Sequence, residues 1–487
     1  MDQTQQFHLL RVTFQKILGK MTLNVEVISR ETIKPSSPTP HHLKNFKLSH
    51  LDQYTPPIGV PIILFYSANH FEKTKMSDRL KKTLSKTLTD FYPLGGKIKD
   101  NNSIDCDDSG VEYLETQVKA QLYQFLNCPE ADELNQLIPL NLNCTGMSSE
   151  IQLAIQVNVF ECGGIAIAAC ISHKVADASS LCTFLSNWAA NARGANHVVF
   201  PQFDSAPLFP PREVSSLQLS TEGPTHNVVT KRFIFDSSNI AALKAKSANY
   251  VENPTRVEAV ATFLWRCFMN VASLKPGSIK SFMVNIAVNL RSRMVPPLPD
   301  HSFGNLIMAA MPSSTADSKA ELHCLVGQLR EAIRRYDGDY MKNLQDGDGV
   351  SMFYDSMRQA IELFAKGEMG FYTITSWCRF PFYEIDFGWG KPIWASSLNM
   401  VHKNVVILMD TKYGDGIEAL VTLDEEDMAR FECEEELLAF TSPKNIAYVQ
   451  ELHDFTNPIK MAYEQEVLAS TSPNGMAYEK RSLISLG

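Results

Sequence analysis

The sequence predicts an α/β protein built on mixed sheets and divided near its middle. Three observations carry this expectation. A chain of 487 residues has room for two or three domains at roughly 150 residues each. Residues 194–227 lose all periodicity in a Pro- and Ser-rich run, FPQFDSAPLFPPREVSSLQLSTEGPTHN at its core, which marks an extended linker over the surface. On either side, helix-like and strand-like stretches intermix without a clear βαβ repeat, so several mixed sheets are expected rather than one doubly wound sheet.

The elements follow in chain order. Residues 1–20 hold one acid, Asp2, against Arg11, Lys16 and Lys20, with Leu10, Phe14 and Ile17 at helical spacing, a pattern shared with transit peptides. Met21 opens a stretch, MTLNVEVISRETIKPSSPTP, that makes a first strand and Pro-rich loop by itself, so residues 1–20 read as an upstream extension. From Ser77, Leu80, Leu84, Leu88 and Phe91 form one helical stripe, with Ser77 as its cap and Pro93 and Gly95-Gly96 as its stop; a strand should follow. Residues 151–160 and 165–171, broken by Gly163-Gly164, read as a β-hairpin whose second strand is buried on both faces. The next helix, residues 178–192, carries Leu181, Phe184, Leu185 and Trp188 on one side and ends before Gly194.

Beyond the linker, residues 228–235 form a strand, and Thr255-x-x-Glu258 is a capping box ahead of Val257, Val260, Leu264 and Phe268. The chain ends in a 15-residue repeat over 436–480 that shares an initial Glu, an eighth-position Pro and Ala-Tyr at positions twelve and thirteen. That period is too short for the common solenoids, so residues 441–487 read as a duplicated, poorly packed tail.

Composition excludes several classes. Hydrophobic residues are 44% and charged residues 20%, proportions of a folded soluble protein. The net charge of −9 argues against nucleic acid, whose non-specific binding needs surplus cations. The apolar run at 165–171 is far below the roughly 20 residues of a membrane span, so no membrane partner is expected. Ten cysteines without a C-x-x-C pair, several inside apolar runs, suit a reducing compartment and argue against a zinc ribbon. Asp346-Gly347-Asp348-Gly349 lacks the later acidic ligands of a calcium loop and reads as a turn, and no histidine set has metal-ligand spacing. Neither G-x-S-x-G nor a phosphate-binding G-x-x-x-x-G-K-[ST] loop occurs.

Two clusters can carry chemistry. His173-Lys174-Val175-Ala176-Asp177 lies where the buried strand ends and a helix begins, a junction that projects side chains into clefts. A neutral imidazole there can accept a proton near physiological pH, which makes His173 a candidate general base. The competing structural reading is a satisfied histidine with Asp177 as the N-cap of the following helix. The second cluster, Asp386-Phe387-Gly388-Trp389-Gly390, places two glycines around a tryptophan and demands an unusual backbone path, as a rigid structural loop does.

Together the two motifs resemble the plant BAHD acyltransferases, CoA-dependent enzymes with H-x-x-x-D near the middle and D-F-G-W-G towards the C-terminus. The resemblance extends through FYPLGGKI (91–98), TRVEAVATFLW (255–265), VNLRSRMVPPLPDHSFGN (288–305) and TSWCRFPFYEIDFGWGKP (375–392). Within the family the chain looks most like the alkaloid O-acetyltransferases, through PSSPTP, KLSHLDQ, ILFY, DCDDSGVEY and FECGG. The first twenty residues and the triplicated tail depart from the pattern.

The resemblance implies two similar-sized domains related to chloramphenicol acetyltransferase, residues 21–193 with H-x-x-x-D and 228–440 with D-F-G-W-G, with a channel between them and His173 at its middle. It implies that His173 and Asp177 are the catalytic motif, Asp177 acting through a salt bridge to Arg291. Asp386, Gly388, Trp389 and Gly390 would brace the domains from outside the channel, and Thr375 and Trp377 would line the reaction centre and stabilise an oxyanion. No metal and no bound cofactor is implied; acetyl-CoA is the co-substrate and a bulky alcohol, foremost a monoterpene indole alkaloid, the acceptor of a cytoplasmic monomer. The alternatives are acylation of an amine or a phenylpropanoid, or a non-catalytic accessory protein of the same fold. A neutral acetyl donor is expected over malonyl, because residues 178–192 contain no cation and Arg193 lies at the far end of that helix.

Overall fold

The computed structural model describes residues 23–441 except 68–72, 128, 130, 140–150, 213–227, 249–250, 275–278, 280, 316–320, 347 and 398–401. The expected extension at 1–20 and the tail beyond 441 lie outside the described residues.

The first half builds β1 (Val25–Ile33), β2 (Asn45–Lys47), α1 (His50–Tyr54), β3 (Gly59–Tyr66), α2 (Lys73–Asp90), β4 (Lys97–Asp100), β5 (Ser103–Asp105), β6 (Val111–Val118), β7 (Leu153–Phe160), β8 (Ile165–Ser172) and α3 (Ala178–Arg193). Its main sheet runs β1-β6-β7-β8-β3, parallel only between β6 and β7, while β2, β5 and β4 form a small separate sheet. The hairpin expected at 151–171 is β7–β8, and every residue of β8 is buried, as its unbroken apolar run requires. Helices α2 and α3 cover one face, joined by the Trp188 indole N–H donating to the Leu80 carbonyl at 3.1 Å and by Leu80, Leu84 and Leu88, all fully buried.

Helix α2 starts a turn earlier than the sequence suggests. Ser77 is therefore not its cap; it sits inside the helix and its hydroxyl bonds Glu115 of β6. A serine N-cap is a local preference of about 1 kcal/mol, and tertiary packing of the preceding turn overrides it. The linker also departs from a free surface path. Phe209 is fully buried and its carbonyl accepts the His50 N–H, while Gln202 bridges to Ser302.

The second half supplies β9 (Val228–Phe235), α4 (Arg256–Ser273), β10 (Ser281–Asn289), β11 (Ile307–Ala310), β12 (Ser313–Thr315), β13 (Met369–Ser376), β14 (Trp394–Ser396), β15 (Val405–Asp410) and β16 (Ile417–Asp424). Its sheet runs β11-β10-β13-β15-β16-β9, with β12 also on β10 and parallel pairs at β10–β13 and β13–β15. Both sheets are thus mixed, as expected. The Thr255–Glu258 capping box opens α4, whose apolar face packs on this sheet through Phe268, stacked on Tyr372 at 4.6 Å. The acidic Asp-Gly run lies at a helix junction: Asp346 ends one helix and Asp348 begins the next.

β14 does not join its neighbours in sequence. It pairs antiparallel with β3 at the edge of the first sheet, Trp394 opposite Phe65, with the two rings stacked at 5.0 Å. The Trp394 indole donates to Glu418 of β16 at 3.2 Å, and the Arg232 guanidinium lies 5.1 Å over the same ring, so one side chain ties both sheets together.

Candidate active site

His173 follows β8 directly, and its backbone N–H donates to the Ile58 carbonyl at 2.8 Å, continuing the ladder towards β3. The chain then turns sharply, with Val175 and Ala176 both donating to the Ser172 carbonyl, before Asp177 caps α3 by accepting the Ser180 N–H at 2.9 Å. Strand end, turn and helix start thus hold His173 at the lip of the first sheet. Its ring is half-buried, and burial lowers the imidazole pKa below the ordinary value, opposed by the Asp177 charge and the Asn305 bond. The resting side chain is neutral at pH 7.

Asp177 does more than cap. Its Oδ2 and Oδ1 accept from Arg291 Nη1 and Nη2 at 2.7 and 3.0 Å, and Oδ2 also accepts the Leu306 N–H at 3.2 Å. Arg291 continues into the carbonyls of Ser302 and Gly304 and the hydroxyl of Ser180. Cap and ion pair are simultaneous, and together they pull the 302–306 loop of the second half against α3.

That loop delivers Asn305, a residue the sequence reading did not single out. Its Oδ1 lies 3.0 Å from His173 Nδ1, and its Nδ2 donates to the His173 carbonyl at 2.7 Å and to Asp52 Oδ1 at 2.9 Å. Asp52, at the N-terminus of α1, is buried and accepts four donors: Ser49 N–H and Oγ on one oxygen, Asn305 N–H and Nδ2 on the other. Burial raises its pKa. The legible signal was Ser49-x-x-Asp52, a capping box that the structure contains in full. Lys174 is buried too; its ammonium donates to the carbonyls of Gln53 at 2.5 Å and Thr55 at 3.2 Å, and burial lowers its pKa to about 8.

Thr375 is the penultimate residue of β13, opposite Ile407, and Trp377 follows the strand, its N–H on the Leu408 carbonyl at 2.7 Å and its ring in the apolar cluster shared by both halves. Among the described residues no hydrogen bond joins either of them to His173.

Asp386, Gly388, Trp389 and Gly390 form a separate unit. Asp386 Oδ1 accepts the N–H groups of Gly388, Trp389 and Gly390 at 2.7, 3.1 and 2.9 Å, curling the backbone into a nest around one carboxylate oxygen. Both glycines have positive φ, 103° and 106°, which a side chain would oppose. Phe387 is fully buried against Trp188, and Trp389 stacks on Phe387 beneath the Arg79 guanidinium. The Asp386 carbonyl accepts from Arg193, the last residue of α3. The loop therefore belongs by packing to the first sheet. Among the described residues no cluster of side chains has the makings of a metal site.

The structure sets the His173 imidazole at the seam of two mixed sheets, with the Asp177–Arg291 ion pair across that seam. The chain belongs to the Transferase family, whose model matches residues 23–438 and which comprises the BAHD acyltransferases that the two motifs resemble. It is 40% identical to stemmadenine O-acetyltransferase of Catharanthus roseus, covering 84% of this chain and 96% of that protein. It is 38% identical to limonoid 21-O-acetyltransferase of Melia azedarach, covering 86% and 99%. The crystal structure of vinorine synthase, an enzyme of Rauvolfia serpentina, superposes with a TM-score of 0.76 at 38% identity, over 88% of this chain and all of that one.

Proposed function

We propose that the protein transfers the acetyl group of acetyl-CoA to a hydroxyl of a bulky specialised metabolite, with His173 as general base. The observation that carries the reading is a neutral, half-buried imidazole whose Nδ1 is engaged by Asn305, which leaves Nε2 for chemistry.

In this reading Nε2 takes the proton of the acceptor hydroxyl as its oxygen attacks the thioester carbonyl. The tetrahedral oxyanion collapses, the C–S bond breaks, and the departing CoA thiolate takes the proton back from the imidazolium. Thr375 and Trp377, at the end of β13, are the proposed oxyanion donors. Asp177 and Arg291 act on geometry rather than on substrate, and Asp386 to Gly390 brace the first sheet.

The acceptor we favour is a monoterpene indole alkaloid alcohol, supported by the stemmadenine and vinorine enzymes; a limonoid alcohol is the second reading, supported by the Melia relative at nearly equal identity. A cytoplasmic location suits the eight described cysteines, all of which carry free thiols, and the proposed working form is a monomer. The donor is acetyl rather than malonyl, since α3 carries its only cation at Arg193 and that guanidinium is engaged by Asp386.

The test incubates purified protein with acetyl-CoA and a panel of alkaloid and limonoid alcohols, reading thiol release and product mass. Acetylated product is expected. Failure with every acceptor would favour a non-catalytic role, and a higher kcat/KM with malonyl-CoA would overturn the donor.

A further inference from the structure

We propose that Asn305, oriented by Asp52, is a positioning residue for His173: it holds the imidazole in its Nδ1–H tautomer and so keeps Nε2 bare as the proton acceptor. The inference rests on the reading of His173 as the general base.

The argument is one of donors and acceptors. An asparagine amide can turn over, exchanging its oxygen and nitrogen, unless its neighbours forbid it. Here they do. On one side Asp52 Oδ1 and the His173 carbonyl, at 2.9 and 2.7 Å, are both acceptors and require Nδ2. The other end, 3.0 Å from His173 Nδ1, must then be Oδ1, which can only accept. Nδ1 must carry the hydrogen, and a neutral ring with Nδ1–H has its lone pair on Nε2.

Asp52 cannot release the amide by rotating. Ser49 N–H and Oγ hold Oδ2 at 2.8 and 2.6 Å, while the Asn305 backbone N–H, at 2.9 Å, shares Oδ1 with Nδ2. Four donors occupy the acceptor sites of the two oxygens, and these bonds oppose the rise that burial causes in the Asp52 pKa. Lys174, whose charge interacts with Asp52 and whose head is fixed on Gln53 and Thr55, supplies the nearby cation. The chain Ser49–Asp52–Asn305–His173 is thus directional throughout. It gives the ring the orientation that a carboxylate gives in a hydrolase triad, yet the group touching Nδ1 is neutral. It therefore fixes the tautomer through a neutral contact, whose upward effect on basicity, like that of the nearby Asp177 charge, is outweighed by burial of the ring.

The experiment reads the tautomer in the full-length protein labelled with [15N]histidine, with His173 assigned from the signal lost in His173→Gln. Long-range 1H–15N correlations are expected to show Nδ1 protonated and Nε2 bare. In Asn305→Ala, and in the isosteric Asp52→Asn, whose own amide lets Asn305 turn over, a mixture of tautomers is expected. With it kcat should fall by about 10²-fold, while KM for acetyl-CoA is unchanged. A merely structural role would lower the melting temperature and leave tautomer and kcat per folded molecule as in the wild type, and that result would overturn the proposal. A protonated Nε2 in the wild type would overturn it outright. Because the tautomer is read without substrate, it decides this inference even in a protein that acetylates nothing.

Discussion

Asp177 and Arg291, 114 residues apart in sequence, meet in a two-pronged ion pair in which neither side chain is more than 3% exposed to solvent. Removing one partner leaves an uncompensated buried charge, which costs about 3–5 kcal/mol. Asp177→Ala should lose that amount and also the cap of α3, and Arg291→Lys should lose much of it because an ammonium cannot span both oxygens. Replacing both partners with apolar residues should recover only part, since the guanidinium also satisfies the Ser302 and Gly304 carbonyls. Urea denaturation of the three variants measures this; a double variant as stable as the wild type would show that the carbonyl contacts contribute little.

His173→Ala should lower kcat by about 10² to 10⁴-fold and leave the melting temperature near that of the wild type. The neutral ring is the active form and burial lowers its pKa, so activity should be flat through neutral pH and fall only below the ordinary histidine value. A profile of kcat/KM against pH checks the sign. An acid limb centred above 6.5 would contradict the environment described for this ring.

His50 should make the fold acid-sensitive. Its ring is fully buried edge-on against Phe209, its Nδ1 donates to the Pro210 carbonyl at 3.2 Å, and burial lowers its pKa to about 4. As pH falls from 6.5 towards 4, the unfolded chain binds a proton that the native ring refuses, so stability falls, by up to about 3 kcal/mol from this group. In His50→Gln the dependence of unfolding free energy on pH over that interval should be shallower. It should not vanish, because the His173 and His402 pKa values are also lowered. An unchanged slope would remove His50 from the account.

Gly390→Ala isolates backbone strain in the loop that follows β13, because no atom lies within 4 Å of the added methyl, whereas in Gly388→Ala the methyl also meets Arg79 Nη1 at 3.4 Å. Each should cost about 1–3 kcal/mol, Gly388→Ala the more. Asp386→Asn keeps the Oδ1 acceptor and should be milder than Asp386→Ala. Thermal melts rank the four, and kcat per folded molecule should hardly change.

Whatever was set by neighbours in sequence was legible in it. The Thr255–Glu258 box, the Asp177 cap and the unbroken run of β8 all read directly, because each is a contact within a few residues or a pattern of burial. The motif pair likewise pointed to His173. Ser77 misled because its cap signal is weak beside the packing of the preceding turn. Asn305 escaped notice because its role depends on Asp52 and His173, far away in the chain, and nothing in the run SFGN distinguishes an oriented amide from a surface one. The destination of Trp394 was equally hidden, since a three-residue strand has no periodicity to read.

The pairing of β14 with β3 has a consequence in time. During synthesis β3, the apolar run GVPIILFY, leaves the ribosome early, and its outer partner emerges only near the end of the chain. Throughout that interval the first sheet presents an open, uncharged edge, the feature that invites pairing with other chains. Translation of this protein therefore carries its greatest aggregation hazard before residue 396 appears. The first half is not a unit that can be completed and left while the second is made.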